Sequence, residues 1–446
     1  MSYSINTLNP NPKDLLLLTK LFNQYPLLID FRRKTKFPID ENDVILSHTL
    51  IVLNRSDGVF QCAVIDKYPF SHGGCSAVFH VINNFSLQNN RLMPQKPFPG
   101  EMICKSQRHS DDSVHEFEMS QRADHLAVYP NYLLSTQYID TLSYLFLKKQ
   151  PGKEFYYLLI PVNAWRPNIQ TRFKLSIKLL TALKEQVHDQ GLVHRDIKPE
   201  NILVAIEKNV IQVNIIDFAF ACPLGEQPLF GVGTPDFIAP ECYKPEGNIL
   251  SELPTADYTI DVYAMAIVLK ELWASDKPPI SVLTNENLDE YLKPIHANSL
   301  AGENLSFVEY VTLFRIILAM AEPRPENRIS LTQAIEHITS LMTSVFERHK
   351  LEAFERTQKQ RLSAQRYKLT KIVPEPTESV EIGSLSHSTA SVHNHTASSE
   401  QKTGRPWCSF FKKAIFCCTK HNSQVLPVEH VSSAARVTTL ELHPNL

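Results

Sequence analysis

The chain has 446 residues, a formal net charge of -2 and eight cysteines. That charge gives no global basic field, so no nucleic-acid partner is expected. No apolar run approaches the roughly 20 residues that span a bilayer, and the start, MSYSINTLNPNPKDLLLLTKLF, lacks the basic n-region and small-residue cleavage site of a secretory signal. Cys62, Cys75, Cys104, Cys222 and Cys242 are scattered without a CxxC pair, which suits reduced core thiols in a cytoplasmic protein.

Residues 1–43 are an N-terminal extension with a short apolar helix predicted from Asp14 to Phe22. From Val44 the text turns strand-like: VILSHTLIVLN, VFQCAVI and SAVFHVINNF. Residues 100–145 read as strand (EMICK), helix (SVHEFEMSQRA) and strand (NYLLSTQYI), and EFYYLLIPV predicts a further strand. FKLSIKLLTALKEQVHDQ then has apolar residues at helical spacing and stops at Gly191. YTIDVYAMAIVLKELWA and FVEYVTLFRIILAMA are strongly apolar helices. Strands followed by helices make an α+β domain, expected over 44–345, with a small strand-rich part at 44–161 and a large helical part at 162–345. Residues 346–372 predict a charged helix, 373–404 a linker too polar to fold, and 405–446 a tail interrupted by GRPWCSFFKKAIFCCTKH.

The chemistry is concentrated between His194 and Glu241, in HRDIKPEN, NIIDFAFA and GTPDFIAPE. Their order and spacing match the catalytic loop, metal-binding loop and activation segment of a protein kinase. The chain resembles the eukaryotic-type Ser/Thr protein kinases. The resemblance implies a bilobal fold, ATP and Mg2+ as cofactors, and transfer of the γ-phosphate to a protein substrate. It makes Asp196 the catalytic base and Lys198 the steadying cation, and makes Asn201 and Asp217 hard-oxygen ligands for Mg2+. Leu203 joins the cofactor-binding set. Lys105 in EMICK is the candidate grip on the α- and β-phosphates, and its partner is a Glu on the next helix. Glu116 and Glu118 lie two apart, so only one faces the site. Glu116 is preferred because Phe117, Met119 and Ala123 stand at the apolar offsets expected of its face.

The sequence departs from the family pattern around the phosphates. In SHGGCSAV, Ser71 and Ser76 stand where the first and third glycines belong; Gly73 and Gly74 remain for close backbone approach, followed by Val78. Ile103 replaces the small residue that packs on adenine, and Ala219 replaces the glycine of DFG. Away from the phosphates the match is fuller. Asp261 corresponds to the aspartate that holds the catalytic-loop backbone, and Arg328 to the arginine that pairs with Glu241. Arg195 corresponds to a residue that binds an activation-segment phosphate in many relatives. Here FAFACPLGEQPLFGVG, from Phe218 to Gly233, contains no Ser, Thr or Tyr. Thr234 is expected to contact Asp196 and Lys198, with activity independent of segment phosphorylation and Glu226 near Arg195.

In the tail, WCSFFKKAIFCC mixes aromatics, lysines and thiols. One reading is an interfacial segment at a membrane surface, anchored by acylation of Cys408, Cys417 or Cys418. The other is a segment docked on the domain with buried thiols. The divergent small lobe and unmatched tail also resemble kinases that intracellular bacteria inject into host cells, which implies the host cytoplasm as location; a eukaryotic cytosolic kinase is the other source. A catalytically weak, kinase-fold scaffold is the alternative function.

Overall fold

The computed structural model describes residues 2–370, apart from 73–75, 97–99, 128–132, 137–140, 161–164, 166, 228–231, 243–254, 275–277 and 301–303. Its first part is dominated by strands. They are β1 (Ser2–Ile5), α1 (Pro12–Gln24), β2 (Asp30–Phe31), β3 (Phe37–Ile39), β4 (Asn42–Leu46), β5 (Leu50–Ser56), β6 (Val59–Ile65), β7 (Ser71–His72), β8 (Ser76–Gln88) and β9 (Arg91–Pro94). β10 (Met102–Arg108), α2 (Asp111–Arg122), β11 (Leu133–Ser135), β12 (Leu142–Lys148) and β13 (Lys153–Glu154) follow. Helices then take over: α3 (Phe155–Leu159), α4 (Ile169–Gln186), α5 (Tyr258–Trp273), α6 (Leu288–Ile295), α7 (Phe307–Met320) and α8 (Leu331–Thr370). Between α4 and α5 lie the short strands β14 (Leu192–Val193), β15 (Ile202–Glu207), β16 (Val210–Ile215) and β17 (Cys222–Pro223). The α+β expectation agrees with this order.

The main sheet runs β11-β12-β10-β8-β6-β5-β2, with β7 and β9 also paired to β8. A second sheet has the order β1-β4-β3. The stretch VILSHTLIVLN, expected as one strand, therefore splits between two sheets. Ser47 and His48 break it: their side chains bond each other and Thr7, which turns the chain out of one ladder before β5 starts the next. The N-terminal helix extends beyond Asp14–Phe22 at both ends; at its start Pro12 opens it and Asn11 and Asp14 cap each other reciprocally.

Residues before 44 are woven into the main sheet. Asp30 on β2 is fully buried and accepts hydrogen bonds from Tyr144 Oη (2.7 Å), Arg32 Nε (2.7 Å) and Ser135 Oγ. β2 and β11 are opposite ends of the strand path, so this carboxylate draws the two sheet edges together.

One expectation fails in the same region, and one strand there is unforeseen. EFYYLLIPV is not a strand: β13 ends at Glu154 and a short helix occupies Phe155–Leu159. Only Phe155 there is fully buried, while Tyr156 and Tyr157 face solvent, so the apolar run does not mark a two-sided buried strand. The strand that precedes it, Leu142–Lys148, was not anticipated. The charged segment after residue 345 is helical to Thr370, as a continuation of α8 rather than a separate helix.

Packing follows this division. Phe22, Phe31, Phe60 and Phe85 centre a cluster of α1 with strands of both sheets. The largest cluster is made by α4, α5 and α7, with Trp273, Tyr310 and Phe314 inside it. Met119, in the last turn of α2, and Ala123, just past its end, belong to that helical cluster. No helix among the described residues is long and apolar enough to cross a membrane.

Candidate active site

Strand periodicity places the first cation. Along β10, Met102 and Cys104 are buried on one face, so Ile103 and Lys105 share the other. Val78 lies between Ser71 and Lys105 in register, pairing with each. Ser110 caps α2, which brings its buried Glu116 under the strand. Lys105 Nζ meets Glu116 Oε1 at 2.6 Å and Asp217 Oδ1 at 3.1 Å. Glu116 Oε2 accepts from Gln107 Nε2 at 3.0 Å. Glu118 is exposed on the far side of the helix.

These groups hold one another's charge. Burial opposes the Lys105 cation, but Asp217 and Glu116 outweigh it and push its pKa well above the usual lysine value. Burial would raise the Asp217 carboxyl, yet Lys105, with His194 and Lys198 farther off, holds it below the usual range. Glu116 moves the other way: burial raises it and Lys105 recovers only part. A charged Lys105 beside an ionised Asp217 is the result.

The catalytic loop is held from behind. Asp261, fully buried on α5, accepts from the backbone N–H of His194 (2.7 Å) and of Arg195 (2.8 Å), and its Oδ2 lies 3.2 Å from His188 Nε2. These bonds offset burial and keep its carboxyl below the ordinary range. They also secure Arg195 at φ 67°, a left-handed conformation uncommon outside glycine. Asp217 has φ 67° as well, while Ala219 is not among the positive-φ residues, so the glycine of DFG is not required by this backbone.

In front of that support, four side chains converge. Asp196 Oδ1 accepts from Thr234 Oγ1 at 2.8 Å, and Oδ2 accepts from Lys198 Nζ at 2.7 Å and Asn201 Nδ2 at 2.9 Å. Lys198 Nζ also donates to Thr234 Oγ1 at 2.8 Å. Gly233, just before, has φ 122°, and a Cβ there would lie 2.9 Å from the Arg195 carbonyl oxygen. Only glycine lets Thr234 enter so close to the catalytic loop. Leu203 is half-buried on β15, opposite Asn214 and Glu154.

The donor set suits a hard divalent cation. Asn201 spends its Nδ2 on Asp196, and Asp217 its Oδ1 on Lys105, so Asn201 Oδ1 and Asp217 Oδ2 carry no hydrogen bond from described residues. The Asp217 side chain is 43% exposed and so open to a ligand. Neutral amide and carboxylate oxygens are what Mg2+ takes alongside water and phosphate.

The activation segment is fixed at both ends. β17 pairs with β14, and Arg195 Nη1 donates to Phe220 O at 3.3 Å. The Glu226 backbone bonds Pro223 and Ala256. At the far end Arg328 makes a two-pronged pair with Glu241. Gly73, Gly74, Cys408, Cys417 and Cys418 lie outside the described residues.

Sequence reading missed His188 behind Asp261, His125 edge-on to Phe218 at 4.7 Å, and Gln107 on Glu116. Only Gln107 left a signal, two residues beyond Lys105 on the same strand face.

The family model for the protein kinase domain matches residues 72–338. A serine/threonine-protein kinase of Drosophila persimilis is 32% identical over 169 residues, 37% of this chain and 20% of the relative. One of Drosophila melanogaster is 30% identical over 265 residues, 58% of this chain and 32% of the relative. Sperm motility kinase 2B of Mus musculus is 33% identical over 214 residues, 47% of this chain and 39% of the relative. The matches thus span between 20% and 39% of these relatives' own lengths. With a match that takes in most of the chain and both halves of the site, the chain belongs to the protein kinase domain family.

Proposed function

We propose that the chain is a serine/threonine protein kinase that uses ATP and Mg2+. The observation that carries this reading is the closed network of Asp196, Lys198, Asn201 and Thr234. The reading takes residues 44–345 as a bilobal domain, strand-rich to 161 and helical from 162.

Asp196 accepts the proton of the substrate hydroxyl as that oxygen bonds to the γ-phosphorus. The bond from γ-phosphorus to the bridging oxygen breaks, and ADP leaves with its electron pair. Three donors on the Asp196 carboxylate fix its direction, and Lys198 stands beside it to offset charge on the transferred group. Lys105, positioned by Glu116, would pair with the α- and β-phosphates. Asn201 and Asp217 would hold Mg2+ through their free oxygens, and the metal would offset phosphate charge.

Labelled ATP with Mg2+ and a generic protein substrate tests this against Asp217→Ala. Transfer that vanishes in the variant is the expected result; equal signal from both proteins overturns it. A scaffold with little catalysis is the second reading, favoured by Ser71, Ser76 and Ile103. Absence of Mg2+-dependent nucleotide stabilisation in a thermal shift would support it.

For the tail we keep two proposals from sequence. Acylation of Cys408, Cys417 or Cys418 would bring the kinase to a membrane surface, and a triple Cys→Ser variant with unchanged membrane fraction rejects that. The resemblance to injected bacterial kinases proposes the host cytoplasm as location. Localisation of the tagged chain during infection or in a eukaryotic cell tests it.

A further inference from the structure

We propose that His115 is a positioning residue that ties α2 to the activation segment without a phosphate. The inference rests on the kinase reading above. His115 Nε2 lies 2.6 Å from the carbonyl oxygen of Ala221, four residues past Asp217. A carbonyl only accepts, so Nε2 carries the proton and donates. The preceding carbonyl, Phe220 O, accepts from Arg195 Nη1. Two successive main-chain carbonyls are therefore each held by a nitrogen side chain, one from α2 and one from the catalytic loop.

The anchor point is itself rigid. Ala221 N–H donates to Phe218 O at 3.1 Å, and the next residue, Cys222, pairs with Val193 across β14 and β17. The Ala221 carbonyl thus belongs to the same frame as His194, Arg195 and Asp196. His115 is adjacent to Glu116 in the helix, so their side chains project about 100° apart. One is fixed by the segment and the other by Lys105 and Gln107. Rotation of α2 that withdraws Glu116 from Lys105 also breaks the His115 bond.

This accounts for how the described start of the segment, Phe218 to Gln227, is held although Phe218 to Gly233 contains no hydroxyl side chain. Where a phosphate would supply acceptor oxygens to Arg195, the main chain supplies a carbonyl oxygen to it, and a second one to His115. The device is built in and needs no upstream enzyme.

The test compares full-length wild type, His115→Ala and His115→Gln, with Asp217→Ala as the zero of activity, each before and after phosphatase treatment. Hydrogen exchange of the α2 amides is read on the same proteins. His115→Ala is expected to lower kcat about tenfold with the protein-substrate KM unchanged, since a small misplacement of the Lys105 partner is felt at the reacting centre. The same variant should exchange faster along α2. Gln carries an amide N–H to a similar reach and should restore most of the rate and the slow exchange. Phosphatase treatment should leave the wild-type rate unchanged. His115→Ala with wild-type rate and exchange overturns the proposal, as does His115→Gln as impaired as Ala, or a wild-type rate lost to phosphatase. If wild type shows no transfer above Asp217→Ala, the kinase reading fails, and exchange along α2 still decides for or against the tether.

Discussion

Arg328 and Glu241 meet through two parallel hydrogen bonds, Nη1 to Oε1 and Nη2 to Oε2, each 2.6 Å long. The guanidinium is wholly buried, and its remaining donors go to the carbonyls of Glu322, Thr259 and Pro323. Its plane also lies over the Tyr263 ring. Removing either partner leaves a buried charge uncompensated. Glu241→Ala or Arg328→Ala is expected to cost about 3–5 kcal/mol, measured by denaturant unfolding. Arg328→Lys cannot make the fork and should also destabilise.

Asp30 makes a similar argument for residues that precede the family match. Asp30→Ala removes the acceptor of the Tyr144 and Ser135 hydroxyls and of Arg32 Nε, at a cost of about 2–4 kcal/mol. The loss should appear as a lower Tm in the full chain. An unchanged Tm would mean the N-terminal strands are dispensable to the sheet.

The two glutamates of α2 separate cleanly by geometry. Glu116→Gln removes one member of a buried ion pair and should reduce transfer roughly tenfold to a hundredfold. Glu118→Gln changes an exposed charge and should leave the rate within about twofold. Steady-state kinetics on the two variants checks this directly.

Thr234 touches only the reacting end of the site. Thr234→Ala should lower kcat about tenfold or more, because Asp196 and Lys198 lose their shared partner. Nucleotide binding, read by thermal shift with Mg2+, should be unaffected. Thr234→Ser keeps the hydroxyl and should recover most of the rate.

His125 gives the fold an acid sensitivity. Burial, with His194 and Lys148 adding to it and Asp124 opposing, brings its pKa down to about 4 from 6.5. Between those values the unfolded chain binds more protons than the folded one. The stability contributed by neutral His125 is therefore complete above pH 6.5 and lost as pH falls toward 4, up to roughly 3 kcal/mol. His125→Phe should flatten the Tm profile in that window relative to wild type. Parallel profiles would assign the acid loss to other groups.

Much of the site was legible because its residues are close in sequence and their spacing is set by local backbone. HRDIKPEN carries Asp196, Lys198 and Asn201 within one loop, and strand alternation alone puts Lys105 on the face opposite Cys104. The hydrophobic periods of α4, α5 and α7 were equally plain, since those helices bury most of their surface in one core. EFYYLLIPV misled because a short apolar run fits a buried strand as well as a helix turn, and only its surroundings decide.

The sequence by itself determined the α+β class, the succession of strands by helices and which residues carry the kinase motifs. Tertiary structure decided the pairings: Asp30 across the sheet to Tyr144, His188 behind Asp261, and His115 on Ala221. Each joins positions far apart along the chain. The reason is physical. Local spacing fixes which way a side chain points, but a hydrogen bond requires a partner within about 3 Å, and only the packed chain sets that distance.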